Sequence, residues 1–239
     1  MKNRISCAMV LVCCVIVAVG LIYAVGARIT ADPYGLEKIS TTDDLAKLDV
    51  EIDYFLGQTE SAEASKIRDL EKNKDLYIDM TAAAPVVLLV EPTGTFRQYL
   101  GSYCQEVEVL QVVSNASQDE LCSGDTVSLF RANGLNVVGD ELHFVDSHNI
   151  LYTGNQYLLF LHPSELNHLY RQKQYNLVDT QFSCVRLYHG EDQKVCISTK
   201  LRDCKEANHF SMSQKVLDMI EDIENTLIER HLGSEYTSR

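Results

Sequence analysis

Basic residues are scarce in this sequence: 21 lysines and arginines stand against 34 aspartates and glutamates, a formal net charge of −13. Lys2 and Arg4 precede every acid, so residues 28–239 carry 19 basic side chains against 34 acidic ones, a balance of −15. A surface of that sign repels phosphate backbones and excludes nucleic acid as a partner. It repels anionic lipid headgroups as well, which leaves the N-terminal segment as the route to membrane contact. A basic protein or a cell-envelope component is the partner it favours.

Catalytic signatures are also lacking. The chain contains no GxSxG, no HExxH, no Walker loop and no SxxK with a KTG partner. It has no CxxC, and its seven histidines, at 143, 148, 162, 168, 189, 209 and 231, are spread out. The closest pairs, His143 with His148 and His162 with His168, do not share a helical face at i, i+4, so each histidine reads as a surface or turn residue. No catalytic residue, metal ligand set or cofactor is expected. Two functional classes stay open. One is a non-catalytic ectodomain that binds a protein, glycan or peptide; the other is an exported enzyme or inhibitor whose site is assembled from distant residues. The missing motifs favour the first.

Charge is absent from Ile5 to Ala27, a run of 23 residues. As a helix it would span roughly 35 Å, enough to cross a bilayer. Lys2 and Arg4 lie before it, and Asp32, Glu37, Asp43 and Asp44 follow. The positive-inside bias therefore predicts a cytoplasmic stub and transmembrane signal anchor over 1–27, with the rest of the chain extracytoplasmic. The competing reading is a cleaved signal peptide, for which Val25 and Ala27 would be the −3 and −1 residues. The apolar run exceeds the usual h-region, which favours the anchor, and either reading exports the domain.

What remains is ordinary for a folded protein, 46% apolar and 23% charged. Residues 28–41 read as a spacer and 42–80 as a helical segment. Within it, Thr42 is a cap, Asp43 and Asp44 fill a first turn, Leu45, Leu48, Ile52 and Phe55 share a face, and Gly57 ends the helix. A second helix over 61–72 has a weak stripe, Ile67 and Leu70. After Pro85 the pattern changes to strands: VVLLVE over 86–91, a PTG turn, then YCQEVEVLQVV with Val107, Val109 and Val113 on one face and Glu106 and Glu108 on the other. SGDTVSLF, ELHFV and QYLLFL add three more. Close spacing without intervening helices predicts an antiparallel barrel or sandwich over 81–210. Residues 211–239 form a C-terminal amphipathic helix and tail, capped by Ser213 and ended by Gly233, whose stripe of Val216, Ile220, Ile223 and Leu227 either packs on the barrel or meets a partner.

Among the cysteines, the exported compartment permits disulfides. If His189-Gly190-Glu191 is a three-residue hairpin loop, Tyr188 faces Asp192, and Cys184 lies opposite Cys196 within bonding range. The expected bond is Cys184 to Cys196, with two unpaired core thiols as the alternative.

The run EVEVLQVV, the turn and strand SGDTVSLF, and LYTGNQYLLFL resemble, in order and spacing, exported bacterial domains of the netrin-like or TIMP-like branch of OB-fold barrels, over about residues 85–162. The resemblance implies an α+β protein, an antiparallel OB-like barrel with flanking helices. It also implies that Gly124 and Asp125 turn into the third strand and that Gly154 opens the strand ending at Leu161. The inhibitory mechanism of that superfamily needs a free N-terminal cysteine, and cleavage after Ala27 would expose Arg28 instead.

Overall fold

The computed structural model describes residues 13–23, 35–53, 60–99, 102–131, 134–145, 148–165, 167, 172–187 and 197–236. The chain divides into two units, Met1–Lys38 and Ile39–Arg239. In the first, residues 13–23 are helical (α1) and expose Val15, Ile16, Val17, Val19, Leu21, Ile22 and Tyr23. Among the described residues no helix is long and apolar enough to cross a membrane.

The second unit is α+β. The helix expected from Thr42 to Phe55 is one turn, α2 (Thr42–Leu45), capped by the Thr41 hydroxyl, which accepts from the Asp44 amide at 3.1 Å. The chain then extends into β1 (Val50–Ile52). Val50 and Ile52 are buried around Glu51, a period of two that the β-branched side chains favour over the helical stripe. Phe55 and Gly57 lie outside the described residues. The second helix is longer than its weak stripe suggested: α3 (Glu60–Ala82) runs 23 residues to the stop before Pro85.

Strands β2 (Val86–Tyr99), β3 (Ser102–Asn115), β4 (Thr126–Arg131), β7 (Gln156–Pro163), β8 (Gln174–Leu177) and β9 (Cys184–Leu187) form a six-stranded sheet in the order β2-β3-β4-β8-β7-β9, and β2 also pairs with β7. Strands β2, β3, β4, β8 and β7 therefore each have a partner on both edges. The sheet is mixed rather than antiparallel, because β4 and β8 run parallel. A smaller sheet joins β1 in parallel to β6 (Glu141–Phe144), which pairs with β5 (Leu135–Val138).

PTG is not a turn. Strand β2 continues through it to Tyr99 with a register shift between Pro92 and Phe96. Gly94 sits there at φ +87°, and a Cβ on it would lie 3.1 Å from Thr153 Cγ2, so both the backbone and the space select glycine. Further shifts near Leu88 and Val90 reassign the faces of β3. Val107 and Val109 face one core while Val113 packs on the other, with Val112 taking the place expected for it. The turns at Gly124 and Gly154 have positive φ and precede β4 and β7.

The continuous apolar runs of β2 and β7 arise because both faces of these strands are covered. Val86, Leu88 and Val90 join Tyr157, Leu159 and Leu161 in one cluster with Val107, Val109, Val127, Leu129 and Tyr175. Val87, Leu89, Leu158 and Phe160 join the other, beneath α3 and the C-terminal helix α4 (Gln214–Leu232). The stripe of α4, Val216, Ile220, Ile223 and Leu227, is buried there, so it packs on the sheet rather than awaiting a partner. Ser213 caps this helix, its hydroxyl accepting from the Val216 amide at 3.4 Å, and the Gly233 amide donates to Glu229 O at the other end. Lys74 with Asp222, Lys215 with Glu71 and Arg230 with Asp79 tie α3 to α4 at the surface.

Candidate functional site

An open groove of about 340 Å³ runs across the outer face of the sheet, lined by alternate residues of neighbouring strands. Thr95, Arg97 and Tyr99 come from β2, Cys104 and Glu106 from β3, Ser128 and Phe130 from β4, and Gln174 from β8. The period of two explains the lining, because Val107, Val127, Leu129 and Tyr175, their neighbours in sequence, point the other way into the core. Arg97 Nη2 pairs with Glu106 Oε1 at 3.1 Å, and Tyr99 faces Phe130 across the groove. Burial pushes the Cys104 thiol upward, partly offset by a hydrogen bond with Ser128, so it stays protonated at neutral pH and is a poor nucleophile. Hydroxyls, amides, a paired guanidinium and carboxylate, and two rings make a surface that hydrogen-bonds and stacks.

A second cluster lies inside. His148, in the loop after β6, and His209, ahead of α4, form an isolated antiparallel bridge, and their rings meet edge to face with centroids 4.6 Å apart. Glu224 reaches them from the buried face of α4, with Oε1 2.8 Å from His209 Nε2 and accepting from Asn208 Nδ2 at 2.8 Å. His148 Nε2 lies 2.6 Å from the Cys184 carbonyl oxygen and Nδ1 2.9 Å from that of Asn149. Arg131 Nη1 donates to the same Asn149 oxygen at 2.9 Å. Around them, Asn149 Nδ2 donates to Cys204 O and Ala207 O at 2.7 Å each, and Gln105 holds both backbone groups of Leu151. Burial, with His209 and Arg131 nearby, holds His148 well below the ordinary histidine value. Burial, Lys66 and Arg131 bring His209 down to about 3, and burial raises Glu224 well above the usual carboxylate range.

These histidines correct the sequence reading. His148 and His209 are buried, and so is His143, on β6 between Asp53 and Glu141. His231 is half-buried with Phe160 against its ring, His162 is exposed, and His168 and His189 lie outside the described residues. Positions 148, 209 and 224 carry no mutual spacing signal, because three separate elements bring them together. The only local hint is the placement of Glu224 next to Ile223 on the apolar face of α4.

The expected hairpin is described only through its first strand, β9, and Cys196 lies outside the described residues. Cys184 carries a thiol, fully buried in the core cluster with Leu159 and Val86. Among the described residues, Cys204 is disulfide-bonded. Cys104 and Cys122 carry thiols too, Cys122 at the surface.

No protein-family model matches the chain, and no curated protein is similar to it in sequence.

Proposed function

We infer that the protein is a membrane-tethered extracytoplasmic binding module, built as an OB-like barrel, whose ligand lies along the groove across β3 and β4. The groove carries this reading: four strands contribute alternate side chains to one polar, aromatic-walled surface. The ring of pairings through β2, β3, β4, β8 and β7 supports the OB-like part. Oligomer-binding OB folds use the face of their second and third strands, to which β3 and β4 correspond in this reading. The helix over 13–23, with its exposed apolar side chains, supports a tether, as does the uncharged run that contains it.

The tether confines the domain to the membrane plane and raises its encounter rate with other envelope components without strong intrinsic affinity. The acidic surface steers basic partners inward. The test is a crosslinking pull-down of the full-length protein from its native membrane at low and high salt, with protease added outside intact cells. A partner recovered at low salt and diminished at high salt, with the body of the protein cut from outside, is the expected result. A body protected from external protease, or hydrolytic turnover abolished by one buried substitution, would overturn the reading.

A further inference from the structure

The buried cluster sets three acceptor oxygens, of Asn149, Cys184 and Glu224, against the ring nitrogens of two histidines. A neutral imidazole has one N–H, yet both nitrogens of His148 face carbonyl oxygens, Asn149 at 2.9 Å and Cys184 at 2.6 Å. With the proton on Nδ1, the bond to Asn149 is the backbone-carbonyl contact that orients metal-bound histidines. The Nε2 lone pair then confronts the Cys184 oxygen, and a cation between them turns repulsion into shared coordination. With the proton on Nε2, Arg131 Nη1, 3.4 Å from Nδ1, has to relieve the opposite clash through a longer contact.

The neighbouring atoms complete a shell. One ligating atom from each of His148, His209 and Glu224 lies within 4.8 Å of the other two, and all three residues are more than nine-tenths buried. Asn208 Nδ2 stands 2.8 Å from Glu224 Oε1 and 3.3 Å from both Cys184 O and His209 Nε2. The amide's two ends are interchangeable by rotation, so the same position takes Oδ1 when a cation is bound. Atoms bonded to one first-row divalent ion at about 2.1 Å sit about 3 Å apart. His209 Nε2 and Glu224 Oε1 stand 2.8 Å apart and His148 Nε2 and Cys184 O 2.6 Å apart, and the ligating atoms of His148, His209 and Glu224 close on a shared ion from within 4.8 Å of one another.

We propose that His148, His209 and Glu224, with the Cys184 carbonyl and the Asn208 amide oxygen, form a binding site for a divalent transition-metal ion of the zinc class. Two imidazoles with a carboxylate suit such an ion better than magnesium or calcium, which take oxygen-only shells. The site is closed, lined by protein donors from β9, the loop after β6, the segment before α4 and α4 itself, so its role is structural. The ion fastens α4 and residues 204–211 to the sheet, and its binding free energy adds to folding.

The experiment takes full-length protein in detergent, measures bound metal by mass spectrometry, strips it with chelator and titrates zinc sulfate while following thermal unfolding. About one equivalent per chain is expected, with the unfolding temperature rising by about 5 °C or more on zinc addition. Glu224→Gln and His209→Gln keep the volume and should abolish both effects. X-ray absorption of the zinc-loaded wild type reads the shell even if those variants fail to fold, and two imidazole nitrogens with oxygens are expected. Folded wild-type protein that gains no thermal stability from zinc, an all-oxygen or sulfur shell, or metal retained in the folded variants would overturn the proposal.

Discussion

Tyr99 and Phe130 face each other across the groove with ring centroids 6.4 Å apart and planes 40° apart. Tyr99 is the more exposed of the two, and Gln174 completes the wall from β8. Their role is to present a surface, because the core-facing residues beside them do the packing. Tyr99→Ala and Gln174→Ala should therefore each change unfolding free energy by less than about 1 kcal/mol in urea titration. A larger loss would make the groove wall part of the scaffold.

Asp119 accepts hydrogen bonds from Tyr175 Oη at 2.9 Å, Asn167 Nδ2 at 2.8 Å and Lys173 Nζ at 3.0 Å, pinning the segment after β3 to β8. Burial alone would raise its pKa, but these three donors together hold it below the ordinary 3.8. A depressed folded value means that the stabilisation is complete above the unfolded value and is lost as pH falls through the folded one. Asp119→Asn should cost about 1–3 kcal/mol near neutrality and flatten the loss of stability on acidification below about pH 4. Equal acid slopes in the two proteins would show that Asp119 contributes no pH dependence.

The C-terminal helix offers two graded tests. Ser213→Ala removes the acceptor for the Val216 amide and should cost about 1 kcal/mol. Leu227→Ala empties a fully buried position between the sheet and α3 and should cost about 2–5 kcal/mol. Equilibrium unfolding ranks them, and a cap variant as damaging as the core variant would mean that α4 is held mainly from its N-terminus.

Cysteine chemistry separates the four described cysteines of the second unit, three thiols and one half-cystine. In native, unreduced protein a soluble alkylating reagent should label Cys122 first, because it is at the surface. Cys104 should react slowly, since burial keeps it protonated, and Cys184 only after denaturation. Cys204 should need reduction as well. Peptide mapping that finds Cys204 alkylated without reductant would return it to the thiols.

Local patterns carried much of this fold. Alternation placed Val107 and Val109 inward and Glu106 outward, and capping chemistry located α4 from Ser213 to Gly233. What failed were segments decided by distant partners. Leu45, Leu48, Ile52 and Phe55 fit a helical stripe, but the pairing of residues 50–52 with β6, some 90 positions away, makes that part a strand. The bulge at Gly94 kept β2 running where Pro92 and Gly94 spelled a turn, and later shifts moved Val113 to the opposite face. The groove was half legible, since Glu106 was set on an outer face, but Arg97, Phe130 and Gln174 meet it only through register. His148, His209 and Glu224 were illegible, because three elements converge on them and each histidine alone looks like a turn residue.

The central claim, that the groove across β3 and β4 is where this protein binds its partner, is tested most directly by photocrosslinking. A photoreactive phenylalanine analogue replaces Tyr99 in the full-length protein in intact cells, and a control carries it at Val138, which is equally exposed on the β5–β6 hairpin. The account predicts a discrete crosslinked species from position 99, weakened as salt rises past the strength where the Debye length is about 8 Å, and none from position 138. The absence of any adduct from position 99, or equal adducts from both positions, would contradict it.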